Sequence, residues 1–131
     1  MEDMKVFNYN DTPITFDTAA ATGTMINATE MAKPFKKRPN DYLSLPSTKE
    51  LIMAITRKSG NAENQLIKTI RGGLHPSTWL HEDIALDFAQ WLSVDFHLWC
   101  NDRIKELLLN GQTNLVRKKE KNVIPGTFFP R

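Results

Sequence analysis

Three prolines divide the centre of this chain. Pro34, Pro39 and Pro46 stand close together. Proline lacks a backbone N–H and its ring clashes with the preceding helical turn, so a helix ends when it meets one. The first turn of a helix accepts proline, because the N–H would have no partner there. The sequence therefore predicts a short helix that ends at Pro34, a second that begins near Pro39, and a third that begins in the segment after Pro46.

Helix-start signals agree with this division. Asn27 stands three residues before Glu30, a spacing that predicts an Asn N-cap and a capping box in which the Glu side chain returns the bond. Ser47 and Glu50 have the same spacing at the start of the third helix, and Gly60 predicts its end.

Two segments are predicted to form β-hairpins. Residues 5–18 contain two runs rich in β-branched and aromatic side chains, separated by turn-forming residues 10–13. Residues 66–80 contain two more such runs around the glycine-rich segment 71–76, which predicts a hairpin with a mobile tip. A short third strand is expected at residues 24–26.

Two amphipathic stripes mark the C-terminal part of the chain. Their period predicts a helix from His81 to Leu92, a break at Ser93, and a final helix that ends near Gly111. The residues expected to be buried are Ile84, Ala85, Phe88, Ala89 and Leu92 in the first helix and Phe96, Trp99, Cys100, Ile104, Leu107 and Leu108 in the second.

The order of these elements predicts an α+β fold. It consists of an N-terminal β-hairpin, a helix-turn-helix-like pair, a second hairpin and a C-terminal helix pair. No strand–helix–strand alternation suggests a parallel sheet. A chain of 131 residues has room for one such domain, which we expect over residues 1–111, with a basic tail or linker over residues 112–131.

Composition excludes several classes of protein. The single cysteine, Cys100, excludes an intramolecular disulfide and a Cys-rich zinc site. No apolar run approaches the roughly 20 residues that span a bilayer, so no membrane association is expected. The acidic first residues lack the apolar segment of a signal peptide. We therefore expect a cytoplasmic protein.

Catalytic motifs are missing from the sequence. It contains no glycine-rich phosphate loop, no nucleophile elbow and no His-Glu-x-x-His zinc motif. His97 and Cys100 lie one helical turn apart, but a metal-dependent enzyme would need His97 or His81 beside two carboxylates. We expect no metal, no cofactor and no enzyme activity, and we expect the three tryptophans to pack in the core rather than form a ligand cage.

Charge is segregated along the chain although the net charge is only +2. Residues 33–71 contain nine basic and three acidic side chains, whereas residues 1–32 contain one basic and five acidic ones. Residues 72–110 are again acidic and residues 111–131 again basic. Such a chain can present one basic face to a polyanion, or the segregation can be an ordinary property of a solvated surface.

The basic segment coincides with features suited to DNA. Two short helices joined by a basic turn match a helix-turn-helix in outline, and a glycine-rich hairpin tip beside them matches a wing. The cations supply phosphate contacts, and Asn40 and Tyr42 have polar tips suited to base edges. The candidate DNA-binding residues are Lys33, Lys36, Lys37, Arg38, Asn40, Tyr42, Lys49, Lys68, Arg71, Gly72 and Gly73.

Several stretches recur in the order of one known family. They are Met25-Ile26-Asn27-Ala28-Thr29-Glu30-Met31-Ala32-Lys33, Asn40-Asp41-Tyr42-Leu43, Ser47-Thr48-Lys49-Glu50-Leu51-Ile52, Ile70-Arg71-Gly72-Gly73 with Thr78-Trp79-Leu80-His81, and residues 84–96, which include Trp91-Leu92-Ser93 and Phe96. Together, over residues 5–110, they resemble the KilA-N domain of bacterial viruses and large DNA viruses, which is similar to the fungal APSES DNA-binding domain.

This resemblance implies a winged helix-turn-helix-like fold that binds double-stranded DNA. By position, the helix that starts at Asn27 is the first helix of the motif, residues 36–45 contain the recognition element, and the hairpin around residues 71–73 is the wing. The implied function is that of a regulatory DNA-binding protein of phage or prophage type in a bacterial cell.

A second function stays open. KilA-N modules occur in phage antirepressor-like proteins, so the chain would then bind a repressor or a host protein, as a monomer or a homodimer. An exposed apolar patch at Trp91, Phe96 or Leu98 would favour that interpretation.

Overall fold

The fold was analysed in a computed structural model that describes residues 4–20 and 22–119. The strands and helices follow the predicted order, except that an unpredicted short helix, Glu63–Leu66, includes the residue at which the second hairpin was expected to start. They are β1 (Met4–Tyr9), β2 (Thr12–Asp17), β3 (Met25–Asn27), α1 (Ala28–Ala32), a single 3-10 turn (Lys33–Phe35), α2 (Pro39–Leu43), α3 (Pro46–Ser59), α4 (Glu63–Leu66), β4 (Ile67–Ile70), β5 (Ser77–His81), α5 (Glu82–Leu92) and α6 (Val94–Lys119). The α+β class predicted from the sequence is confirmed.

The chain divides into two compact units after Asn101. The first holds the sheet, α1 to α5 and the beginning of α6. The second begins at Asp102 and contains the remainder of α6, where Arg103 donates a hydrogen bond to Glu106 over 2.6 Å.

One antiparallel sheet contains both hairpins. Its strand order is β1-β2-β3-β5-β4, so β3 joins the two predicted hairpins by pairing with β2 on one side and β5 on the other. The first hairpin turns through Asn10 and Asp11, whose φ angles of 49° and 68° are left-handed. A two-residue turn with positive φ at both positions is the hairpin turn whose twist matches that of the flanking strands. The expected turn over residues 10–13 is therefore too long, and Pro13 lies within β2 opposite Asn8.

The core lies between this sheet and the helices. The predicted stripe of α5 is confirmed, since all five of its residues are buried. A second part of the core is aromatic: Phe96 of α6 is fully buried against Tyr9, Phe35 and Trp99, with ring centroids 4.7, 5.1 and 5.7 Å away. Trp79, like the other two tryptophans, is half-buried.

The helix caps agree with the sequence only in part. Asn27 accepts the Glu30 N–H over 3.0 Å, as predicted. The predicted bond from the Glu30 side chain back to Asn27 is wrong. The Glu30 carboxylate instead accepts the backbone N–H of Thr15 over 2.7 Å and so connects α1 to β2. Ser47 does not cap α3, which begins with Pro46 as its first residue. Gly60 ends α3 with a left-handed φ of 79°, as expected.

The end of α6 also differs from the prediction. The helix continues past Gly111 to Lys119, because a glycine inside a helix costs about 1 kcal/mol without ending it, and the residues that follow include good helix formers and no proline. Leu108, expected to be buried, is 55% exposed. Residues 120–131 of the predicted tail lie outside the described residues. Within the described ranges, no helix is both long enough and apolar enough to cross a membrane.

Candidate nucleic-acid interface

The start of α2 and the β4–β5 hairpin open onto one cleft of about 590 Å³. From α2 it is lined by Arg38, Pro39 and Asn40, and from the hairpin by two segments, residues 69–72 and 76–78. The turn after α1 and the glycine-rich tip therefore face the same side of the molecule. This convergence is what the helix-turn-helix and wing interpretation requires.

The backbone between α1 and α2 explains how Arg38 reaches the cleft. Lys36 has a left-handed φ of 56°, which ends the 3-10 turn. Arg38 is extended, with φ −122° and ψ 139°, the conformation that the following Pro39 imposes on the residue before it. The chain thus reverses over a few residues and enters α2 with Arg38 at its edge.

The Asn-Ala-Thr segment holds the two sides of the cleft together. Ala28 is fully buried, so a larger side chain has no room there. The Thr29 hydroxyl accepts the backbone N–H of Thr78 over 3.0 Å, which joins α1 to the hairpin. With the Asn27 cap, these contacts assign the segment a structural role and fix the wing relative to the turn.

Arg38 has one carboxylate neighbour in this cleft. Its guanidinium lies 3.1 Å from Asp41 Oδ1, and the two side chains are 78% and 53% exposed. Exposed ion pairs of this kind contribute about 0–1 kcal/mol, which a phosphate contact outweighs readily. Asn40, one residue before Asp41, is exposed and carries no such partner among the hydrogen bonds of the described residues.

The hairpin side of the cleft is free of acidic residues. Residues 67–81 contain no Asp or Glu, while Lys68, Arg71 and His75 are all exposed. Gly72 and Gly73 have φ angles of 70° and 69°, which residues with a side chain rarely adopt. The tip is therefore narrow, positively charged and shaped by two residues without side chains.

Other predicted site residues lie elsewhere. Lys37 is placed over the Trp91 ring, with Nζ 4.5 Å from its centroid, a cation–π contact with α5. Lys49 lines a separate apolar cleft beside Glu63. Lys33 lines a second cleft, which shares Thr29, Ile70, Pro76 and Ser77 with the first. Lys36, Lys68 and Gly73 are exposed but do not line the first cleft.

Tyr42 is not a base reader. It is 1% exposed, and its hydroxyl donates a 2.6 Å hydrogen bond to Asp87 Oδ2. Burial raises the pKa of this hydroxyl far above its ordinary value, and the hydrogen bond to Asp87 and the charge of that carboxylate raise it further. Tyr42 therefore anchors α2 to α5 from inside the core, and the prediction of a polar tip facing DNA is wrong.

The sequence reasoning missed the hydroxyl residues of the cleft. Thr69 and Thr78 are paired across the hairpin, and Ser77 lies beside them. Ser and Thr hydroxyls commonly contact phosphate oxygens. Thr69 and Thr78 share a face of the hairpin because they are a cross-strand pair, whereas Ser77, adjacent to Thr78, lies on the other face, and no sequence pattern places all three at one cleft.

His97 and His81 are each hydrogen-bonded to a backbone carbonyl group. His97 Nδ1 lies 2.8 Å from the Leu86 carbonyl oxygen, and His81 Nε2 lies 2.8 Å from that of Thr22. Cys100 is buried. In the part of the chain that the structure describes, no three His, Cys, Asp or Glu side chains come together as a metal site would need.

Comparison with known proteins was made at three levels. The sequence model of the KilA-N domain matches residues 7–110, most of the chain. A search of curated proteins and a search of solved structures each returned no match. Proteins with this domain are generally DNA-binding. The matched residues contain the Asn-Ala-Thr segment, the basic turn and the glycine-rich hairpin, and the chain belongs to the KilA-N domain family.

Proposed function

We propose that this chain is a regulatory DNA-binding protein of phage or prophage type, acting in the bacterial cytoplasm without catalytic activity. Its recognition element is α2 with the basic turn before it, and its wing is the β4–β5 hairpin, in a winged helix-turn-helix-like arrangement. The partner is double-stranded DNA.

One observation carries this proposal: Arg38 and Arg71 line the same cleft from two elements far apart in sequence. Each strand of a duplex carries one phosphate for about every 3.4 Å of helix axis, and two arginines across one cleft suit the backbone of such a strand. Thr69, Ser77 and Thr78 supply hydroxyl donors between them. These contacts position the protein but carry no sequence information by themselves.

Asn40 is the proposed base reader. It is exposed in the first turn of α2, next to Arg38 in the cleft lining. Its amide has a donor and an acceptor at the spacing that matches adenine N7 and N6 in the major groove. We therefore propose that Arg38 and the wing set the position on DNA and that Asn40 contributes sequence preference.

A salt titration of duplex binding tests the function. With about four to five phosphates neutralised by Lys33, Lys36, Arg38, Lys68 and Arg71, log K should fall with log salt at a slope of roughly −4 to −5. Selection of bound sequences from a random duplex pool supplies the probe. A slope near zero with every duplex would contradict direct DNA binding.

Asp41 offers a charge test at the cleft itself. Asp41→Asn removes the only carboxylate paired with Arg38 in the described structure and removes repulsion with phosphate, so we expect DNA affinity to rise about two- to fivefold. Asp95→Asn is the matched control, since Asp95 is an exposed acid in the first turn of α6. Equal affinities for both variants would show that Arg38 does not contact the duplex.

A second function, binding of a repressor or host protein, is favoured by one surface. Val94 and Leu98, one turn apart on α6, are 62% and 55% exposed. Phe96, in contrast, is fully buried, and Lys37 covers part of the half-buried Trp91. The same titration separates the two functions, since a protein-binding module without a DNA site would show no salt-dependent duplex binding.

A further inference from the structure

Leu74 stands alone at the wing tip. It is 91% exposed, the highest exposure among the large apolar side chains of the described residues. A leucine of the core packs against many neighbours, whereas Leu74 makes almost no contact with the rest of the protein. Its apolar surface is available to a partner at the point of the hairpin that projects from the sheet.

The loop around Leu74 has a narrow backbone, and a proline restrains its second half. Two glycines with left-handed backbones precede it, and a Cβ built at either would meet nothing within 4 Å. Pro76 follows two residues later and limits the conformations of His75. The tip therefore presents one apolar side chain on a slim backbone, a shape that suits the B-DNA minor groove, which is only about 6 Å wide.

The charges beside Leu74 indicate that its partner is anionic. Leu74 lines a cleft of about 620 Å³ together with His75 and Lys33. The one carboxylate of that cleft, Glu30, is held by the Thr15 N–H. A loop that enters a lipid surface displays several large apolar side chains, whereas this tip displays Leu74, with Ile70 (52% exposed) as the second large apolar side chain of the hairpin, beside the cations Lys33 and Arg71. DNA fits both the apolar side chain and the positive charge of this tip, because its phosphates are anionic and the faces of its stacked bases are apolar.

We propose that Leu74 acts as a wedge that enters the minor groove, separates two adjacent base pairs and bends the duplex. This inference rests on the proposed DNA-binding function and adds the mode of engagement. Apolar side chains inserted between base steps unstack them partly and kink the helix by about 20–90°. Burial of the leucine against the base faces offsets the unstacking, and Arg71 holds the adjacent backbone. Pyrimidine–purine steps, which unstack most easily, are the preferred target.

Bending of an end-labelled duplex tests the wedge. The probe is a duplex of about 30 base pairs with a central TA step, taken from the selected pool, and the readout is energy transfer between dyes at its ends. Wild-type protein should shorten the end-to-end distance. Leu74→Ala should abolish most of the bend and weaken binding about tenfold, while its salt slope stays that of wild type because the phosphate contacts remain.

Two further variants control for unspecific effects. Val6→Ala removes a comparably apolar side chain that is 57% exposed on β1, at the opposite edge of the sheet from β4, and should bend DNA as wild type does. Leu74→Met keeps a long apolar side chain and should retain the bend. Thermal melting of each variant verifies that it is folded.

The outcomes separate this inference from the proposed function. Salt-dependent binding with no bend by wild type, or an equal bend by Leu74→Ala, overturns the wedge and leaves DNA binding intact. Absence of salt-dependent binding by wild type overturns both. Leu74-dependent binding to vesicles of anionic lipid, with no bending of DNA, would assign the tip to a membrane surface and overturn the wedge as well.

Discussion

Replacement of both Arg38 and Arg71 by alanine should weaken duplex binding at least about 30-fold at physiological salt, and should make the salt slope shallower by about two. The reason is that the two guanidinium groups line the same cleft from different elements, so each neutralises backbone charge that no other side chain of the cleft reaches. The measurement is a gel-shift or anisotropy titration across a salt series. Each single variant should lose about one unit of slope.

A control of equal charge makes this result specific. Arg57 and Lys58 are exposed in the last turn of α3 and line neither of the two clefts described above beside the wing. A variant with alanine at both positions loses the same net charge, so long-range attraction to DNA falls equally. It should retain most of the wild-type affinity and slope. Equal losses in the two double variants would mean that DNA binds by net charge alone, without a defined site.

The predictions that hold come from local chemistry. Proline accounts for the short helices at the centre of the chain, because Pro39 and Pro46 are each the first helical residue of α2 and α3. Gly60 ends α3 because it adopts the left-handed backbone conformation that glycine accepts more readily than other residues. The five apolar residues of α5 recur at helical period and are all buried. None of these features depends on distant parts of the chain.

Two features that the sequence does not show depend on distant partners. Glu30 has the spacing of a capping box, but in the fold its carboxylate accepts the backbone N–H of Thr15, 15 residues away in the sequence. The joining of two hairpins into one sheet needs β3 between β2 and β5. That pairing brings together segments separated by about half the domain, and only the tertiary fold decides it.

Within the site, helix geometry explains the principal error. Asn40 and Tyr42 are two residues apart in α2, and residues at that spacing point to nearly opposite sides of a helix. Both cannot face DNA. The amphipathic pattern assigns the larger aromatic ring to the core, and the structure places Tyr42 there with Asn40 exposed. The position of Lys37 over the Trp91 ring could not be predicted in this way, because no local sequence pattern indicates it.

Tyr42→Ala should lower the free energy of unfolding by about 3–5 kcal/mol, as for other large aromatic side chains removed from a core. The ring packs against Phe88 and Trp91, with centroids 5.0 and 5.8 Å away, so alanine leaves a cavity under α2. Tyr42→Phe keeps the ring and loses the hydroxyl with its hydrogen bond to Asp87, which should cost about 1–2 kcal/mol. Chemical denaturation at neutral pH measures both values.

The phenylalanine variant also separates an anchor from a base reader. A reader that lost its hydroxyl would change its preference among duplex sequences, whereas an anchor would leave that preference unchanged below the melting transition. The raised pKa of Tyr42 predicts a pH signature. Because the fold favours the neutral hydroxyl, its contribution is complete below the ordinary tyrosine pKa of about 10 and is lost as the unfolded chain ionises above it. The stability difference between wild type and Tyr42→Phe should therefore narrow above that pH, and a constant difference would contradict a neutral, buried Tyr42.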